Sequence, residues 1–304
     1  MSSWKGKNRW RRWRFLVPLC SAGALLVTGV AGAANSASFS DPARDVRLAA
    51  DITNVAVSND DAGTITIRLA FGGGGVTPGL PSEQLGVALD LDQNPDTGTV
   101  YYGTEVAFGL GFGLGGKTLN FARAAGPEFA TAPPPPSLQG TIDGETGAVT
   151  FTVKAADLGL APNGGFNLVA ISTSSVTGDG DLAPDLRTFN YQSVPGTPPP
   201  ALPADTRAPV DHALASRGVH GKVARLDYSA QDGRAVTADT VRVYRRTRLL
   251  RAIWVRLGEA NPFFDYYANW HVPRTVHGRL RFCVQSVDAT GNKSNLSCAP
   301  LVIR

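Results

Sequence analysis

Short runs of alternating apolar and polar residues, each closed by turn-forming residues, recur along most of this chain. No amphipathic helical stretch interrupts them. Upstream they cover residues 52–57, 64–71, 85–92, 105–112, 118–123, 137–142, 148–153, 166–172 and 187–191. Alternation puts successive side chains on opposite faces of a strand, so each run has one face to bury and one to leave in water. Asp143-Gly-Glu-Thr-Gly147, between two of the runs, has hairpin-turn composition. The only helix-like patch, 155–159, is about one turn long. Many short strands without helices predict an all-β chain whose first domain is a jelly-roll-like antiparallel β-sandwich.

A proline-rich stretch, 194–208, follows this domain and predicts an extended, semi-stiff linker. Beyond it, runs at 222–228, 240–244, 249–255, 266–272, 278–287 and 296–303 predict a smaller immunoglobulin-like β-sandwich over 209–304. Charge divides in nearly the same place. Residues 34–205 carry 7 Lys and Arg against 18 Asp and Glu, whereas 206–304 carry 16 against 7. Opposite charge on the two halves marks a boundary and hints at an anionic partner for the second.

Residues 1–33 read as an export signal. Lys5, Lys7, Arg9, Arg11, Arg12 and Arg14 precede an apolar stretch, 15–30, that ends in Ala31-Gly-Ala33. An uncleaved anchor is the alternative, although Pro18, Gly23 and Gly29 interrupt the stretch. With the signal removed no membrane span is expected, and the protein is expected to be secreted or associated with the cell envelope. Export also argues against nucleic acid as a partner. Cys20 leaves with the signal. Cys283 and Cys298 sit symmetrically about Thr290 and Gly291, as a cross-strand pair in a hairpin would, so a disulfide is expected; two buried free thiols are the alternative. Nothing in the sequence fixes an oligomeric state.

The richest local chemistry follows the run that ends near residue 90. Asp90, Asp92, Asn94 and Asp96 place oxygen-bearing side chains at every second position, Gly98 closes the turn, and Glu105 returns on the next strand. Hard oxygen donors in this density suit Ca²⁺, here as a structural clamp on a loop. A solvated acidic turn is the competing reading. Asp41, Asp51, Asp181 and Asp185 form a weaker second candidate group. In the second domain Arg242, Arg245, Arg246, Arg248 and Arg251 surround Tyr244 and Trp254, a basic face suited to anionic polymers or to docking on the acidic first domain; a solvated basic face is the competing reading. Phe263 and Phe264 follow a proline turn and are expected to be exposed. No catalytic site emerges: the histidines lack metal-ligand spacing, and no nucleophile elbow is present.

Several segments resemble the DOMON-like domains related to family 9 carbohydrate-binding modules. They are Phe39-Ser-Asp-Pro-Ala-Arg-Asp45, Ala50-Asp-Ile-Thr-Asn-Val-Ala-Val57, Leu89-Asp-Leu-Asp-Gln-Asn-Pro-Asp-Thr-Gly98, Gly103-Thr-Glu105 and Asp181-Leu-Ala-Pro-Asp185. The resemblance covers 39–193. Residues 206–304 resemble a bacterial immunoglobulin-like module, through Asp205-Thr-Arg-Ala-Pro209, Trp270 and the segment 282–294. These likenesses imply a β-sandwich, often with structural Ca²⁺, that holds sugars or, in some relatives, haem. Sugar-binding relatives use tryptophans, and 34–205 contain none; Tyr101, Tyr102, Phe108 and Phe112 are the nearest substitutes. Of these, Tyr101 and Tyr102 lie in a loop as a stacking platform would, while Phe108 shares parity with Val106 and reads as core. Haem-binding relatives use Met and His ligands, and the first domain supplies neither, so no haem is expected. The expected function is non-catalytic binding of polysaccharide or another envelope polymer. The alternatives are an adhesive envelope protein acting through its basic second domain and, more remotely, a hydrolase.

Overall fold

The computed structural model describes residues 35–44, 46, 49–72, 83–113, 116–161, 164–174, 179–234, 236–259, 263 and 265–304. Residues 1–33, read above as an export signal, therefore lie outside the described residues, as does Phe264. The first domain contains β1 (Asn35–Ser40), β2 (Ile52–Asn59), β3 (Thr64–Phe71), β4 (Glu83–Asp90), β5 (Val106–Gly113), β6 (Gly116–Ala125), β7 (Glu128–Thr131), β8 (Gln139–Ile142) and β9 (Val149–Lys154). The one-turn helix α1 (Ala155–Leu158) follows, then β10 (Gly165–Ser174), β11 (Asp179–Ala183) and β12 (Phe189–Gln192). The last strand begins later than the sequence suggests because Arg187 has φ 69°, a left-handed backbone no strand accommodates.

Two sheets face each other. One has the order β1-β2-β3-β9-β8; the other runs β11-β10-β4-β5-β6-β7, with β12 also paired to β10. Alternation does what the sequence requires. Ile65, Ile67 and Leu69 of β3 point inward from the first sheet, and Leu85, Val87 and Leu89 of β4 meet them from the second. Phe108 on β5 packs edge-on against Phe151 on β9, centroids 5.4 Å apart, so one aromatic pair bridges the layers. The second sheet is also covered on part of its outer face. Ala88, Val169 and Leu182 are buried there, with Phe129, Ile171 and Phe263 packed on them. Phe263 comes from the second domain.

That domain comprises β13 (Val210–Ala213), β14 (Ser216–Gly218), β15 (Val223–Gln231), β16 (Val236–Arg245), β17 (Arg248–Glu259), β18 (Asp265–His271), β19 (Gly278–Asp288) and β20 (Ser297–Ile303). Its sheets have the orders β13-β15-β18 and β14-β20-β19-β16-β17, with β14 parallel to β20. Leu226, Tyr228, Val243, Trp270, Phe282 and Leu301 belong to a common core between them. The fold is an immunoglobulin-like sandwich, with β13 and β14 added ahead of the six strands the sequence predicted.

Cys283 and Cys298 are register partners on β19 and β20, joined as a disulfide with Cα atoms 4.0 Å apart. The bond staples one hairpin instead of crossing between sheets. It closes a span of 15 residues in the unfolded chain, so reduction is expected to cost the second sandwich about 2–3 kcal/mol. Thermal unfolding with and without a thiol reductant measures this. A lower melting temperature in the reductant is the expected result; an unchanged one would show that the staple contributes little.

Candidate metal centre and adjoining cleft

Strand β4 delivers Asp90 to the rim of the second sheet, where the side chain is fully buried. Its register partner Asn167 on β10 donates to Asp90 Oδ2 at 2.8 Å, and the Asn94 backbone N–H donates to Oδ1 at 3.0 Å. Asp92 Oδ1 also accepts from the Asn94 N–H, at 2.9 Å. Glu105 Oε2 accepts the Leu91 N–H at 2.7 Å, which folds the end of the turn back over its start. Asp90, Asp92 and Glu105 each bring a carboxylate oxygen within 4.8 Å of the other two.

The turn needs glycine at position 98. Its φ is +58°, and a Cβ there would lie 2.3 Å from the Gly103 carbonyl oxygen and 2.8 Å from Glu105 Oε1. Thr97 Oγ1 sits 3.0 Å from both Asp92 oxygens and 3.1 Å from Glu105 Oε1. A hydroxyl has one hydrogen, so it serves only one of those oxygens at a time. Burial, the neighbouring Glu105 and then Asp92 push Asp90 up to about 8, and burial with Asp92 raises Glu105. A group this crowded either takes a proton or takes a cation. The donor set is all oxygen, on three separate carboxylates, which fits Ca²⁺; the ion would supply charge compensation and tie Asp90 to Glu105 across the turn.

The remaining expected ligands are used differently. Asn94 turns its Oδ1 back to the Asp96 N–H at 3.2 Å, capping its own turn. Asp96 leaves the group altogether and pairs with Arg234 of the second sandwich through two bonds, 2.9 and 2.5 Å. The weaker second group does not assemble. Asp181 accepts the Ile52 N–H, and Asp51 accepts the Arg44 N–H.

Tyr101 and Tyr102 do not form an exposed stacking platform. Tyr102 is 2% exposed. Tyr101 stacks on Phe263, centroids 4.8 Å apart, and lies parallel to Phe129 at 6.1 Å. The aromatic content of the turn has been spent on holding the two sandwiches together. Phe263 is accordingly packed, not exposed.

Sequence reasoning missed two residues that hold this turn in place. Arg207, at the end of the linker, donates through Nη1 to the carbonyls of Thr97 (2.8 Å) and Thr99 (3.0 Å) and through Nη2 to Gly98 (3.1 Å). Arg234 follows β15 and supplies the bonds to Asp96. The linker is therefore no free spacer at its downstream end. The segment Gly32–Arg304 forms one compact unit. The prior signals for Arg207 were its place at the end of the proline-rich linker and in the Asp205–Pro209 segment that resembles the start of an immunoglobulin-like module.

Beside the acidic group lies a cleft of about 380 Å³, walled by Asp90, Tyr102, Asn167, Asn190, Pro199 and Leu202 among others. Its size falls within the ~300–1,000 Å³ common for small-molecule sites, and its mixture of apolar walls with converging amides is typical of them.

The charge state of the acidic group gives a direct test. Asp90 and Glu105 have folded values above their unfolded ones, so the stability this contributes is complete at low pH and is lost as pH rises toward about 8. Ion-free protein is expected to be more stable at pH 5 than at pH 8, with a slope of up to about 1.4 kcal/mol per pH unit for each proton involved. Ca²⁺ is expected to raise the melting temperature far more at pH 8 than at pH 5. Melting curves in EDTA and in Ca²⁺ at the two pH values measure both effects.

No family model matches the chain, and no curated protein matches it. Among solved structures, fibronectin(III)-like modules of Clostridium thermocellum CbhA align over 80% of this chain and 86% of their own, with 12% identity and a TM-score of 0.23. Red sea bream transglutaminase aligns over 79% of this chain but 29% of its own, with 10% identity and a TM-score of 0.23. A chimeric titin Z1Z2 tandem aligns over 80% and 92%, with 13% identity and a TM-score of 0.21. Superpositions this loose say nothing about function.

Proposed function

We propose that this chain is an exported, non-catalytic binding protein in which a Ca²⁺-stabilised first sandwich holds carbohydrate of the cell envelope. The observation that carries the reading is the convergence of Asp90, Asp92 and Glu105, with Asp90 itself part of the wall of a cleft that Asn167 and Asn190 also line. The ion holds the 90–105 turn, the turn forms one wall of the cleft, and the amides offer paired donors and acceptors to sugar hydroxyls. Binding is therefore tied to the ion without the ion needing to touch the ligand. Asn190 is exposed at the cleft, so Asn190→Leu strips an amide from it; the change also removes the bonds to Asn167 (2.8 Å) and from Gln192 (3.0 Å), so retention is read beside a melting curve in Ca²⁺. It is expected to weaken retention on the preferred polysaccharide about tenfold, the loss of a little over 1 kcal/mol of polar contact. Retention unchanged by this substitution would remove the cleft from the account.

A second reading rests on a different face. Trp254 is 79% exposed on the edge strand β17, and Arg245, Arg246, Arg248 and Arg251 are exposed along the same β16–β17 hairpin. An exposed tryptophan among arginines suits phosphate- or carboxylate-bearing wall polymers. This adhesive mode predicts retention that survives EDTA and falls steeply as salt rises from about 50 to 500 mM, because the contacts are exposed charges.

A further inference from the structure

The junction between the linker and the second sandwich holds carboxylates that the proposal above leaves unused. Asp205 comes from the linker, Asp232 from the turn after β15, and Asp288 from the end of β19. Each brings a carboxylate oxygen within 4.8 Å of the other two. They are well separated in sequence, and each is fixed by its own local bonds. Asp288 Oδ1 accepts the backbone N–H groups of Thr290 (2.9 Å) and Asn292 (2.8 Å), and its Oδ2 accepts Asn292 Nδ2 at 2.7 Å. Asp205 Oδ1 accepts the Arg207 N–H at 3.1 Å, and its Oδ2 lies 3.5 Å from Arg234 Nε. Asp232 Oδ1 accepts the Arg234 N–H at 3.0 Å.

One oxygen is left over. Asp232 is 3% exposed, and its Oδ2 is buried without a hydrogen-bond partner. A bare, buried carboxylate oxygen is costly and calls for a cation or a donor. The local guanidinium charge is already committed. Arg234 is shared between Asp96 and Asp205, and Arg207 is occupied by the carbonyls of the 97–99 turn. Arg234 faces Asp96, Asp205 and Asp232, and Arg207 faces Asp96, Asp232 and Glu105, while Asp288 adds a further carboxylate beside Asp205 and Asp232, so carboxylates outnumber guanidinium groups here. Every available donor is oxygen, and the three segments impose no octahedral arrangement, which favours Ca²⁺ over Mg²⁺.

We propose that Asp205, Asp232 and Asp288 form a second Ca²⁺ site that ties the linker to the second sandwich. The ion would bridge three chain segments that otherwise meet only through hydrogen bonds and Arg234. Because Arg234 also grips Asp96, loading this site would stiffen the joint between the two sandwiches.

The test is the number of Ca²⁺ ions bound by the whole chain, by calorimetric titration, in wild type, Asp92→Asn, Asp232→Asn and the double variant. Asp92→Asn removes one carboxylate from the turn's group and none from the junction's. Asp232→Asn is expected to bind one Ca²⁺ fewer than its parent in either background, or to bind the second ion at least tenfold more weakly. A count unchanged by Asp232→Asn in both backgrounds overturns the proposal. A count lowered by Asp232→Asn but not by Asp92→Asn upholds the junction site and counts against the turn, so the two readings fail separately. Should Asp232→Asn not fold, as judged by circular dichroism, Asp205→Asn on the linker is read by the same criteria. Mg²⁺ in place of Ca²⁺ is expected to give at least tenfold weaker binding in each case.

Discussion

Gly98→Ala is expected to be among the most damaging single-methyl changes in the first sandwich. The new Cβ would stand 2.3 Å from the Gly103 carbonyl oxygen and 2.6 Å from that of Thr104, at a φ of +58°. Neither oxygen can retreat, because both belong to the backbone of the same tight turn. Thr104 is pinned further by its N–H donating to Tyr101 and by its carbonyl's partner, the Thr99 N–H, at 3.0 Å. Adopting the left-handed region costs a non-glycine residue about 1–2 kcal/mol, and the clash adds to it. A total near 3 kcal/mol would lower the melting temperature by roughly 6–12 °C for a domain of this size. Ca²⁺ affinity should fall with it, because the added methyl also lies 2.8 Å from Glu105 Oε1. Differential scanning calorimetry with and without Ca²⁺ reads both changes; a variant melting with the wild type and still responding to Ca²⁺ would refute this view of the turn.

Gly233→Ala is expected to act between the sandwiches and not within either. A Cβ at 233 would be 2.0 Å from the Pro95 carbonyl oxygen, so the turn of the first sandwich and the β15–β16 connection of the second must part. Parting them pulls Arg234 from Asp96, a two-bond pair whose side chains are 21% and 12% exposed. Truncating or misplacing one partner of such a half-buried pair leaves charge poorly solvated and costs about 2–4 kcal/mol of docking energy. The expected outcome is a larger radius of gyration by small-angle scattering, and two thermal transitions where the wild type has one. Scattering profiles identical to wild type would show that the interface tolerates the methyl and would remove the Pro95–Gly233 approach from the account.

Much of the architecture was legible because it depends on short-range regularities. Alternation located Leu85, Val87 and Leu89 on the core face of β4, and hairpin symmetry paired Cys283 with Cys298, since both properties are set by neighbours along or across a strand. The same logic brought Asp92 and Glu105 together, as a turn must return its chain. It did not reveal that Asp96 would turn outward, because its partner Arg234 lies 138 residues away. Nor does a loop position disclose burial. Tyr101 and Tyr102 read as accessible until Phe263 is seen lying against them. Asn94 Oδ1 is engaged locally, by an Asx-type bond from the Asp96 N–H that alternation along a strand does not disclose. The junction carboxylates escaped notice because Asp205, Asp232 and Asp288 belong to no common segment and show no spacing signature.

The central claim joins Ca²⁺ in the 90–105 turn to carbohydrate in the neighbouring cleft. Co-sedimentation of the whole chain with purified cell wall and with insoluble polysaccharides, in Ca²⁺ and in EDTA, tests that link most directly, with Asp92→Asn/Glu105→Gln run in parallel. The expected result is retention in Ca²⁺ that drops at least tenfold in EDTA and in the double variant. Equal retention in EDTA and in the double variant, or no retention on any glycan with Ca²⁺ present, would contradict it.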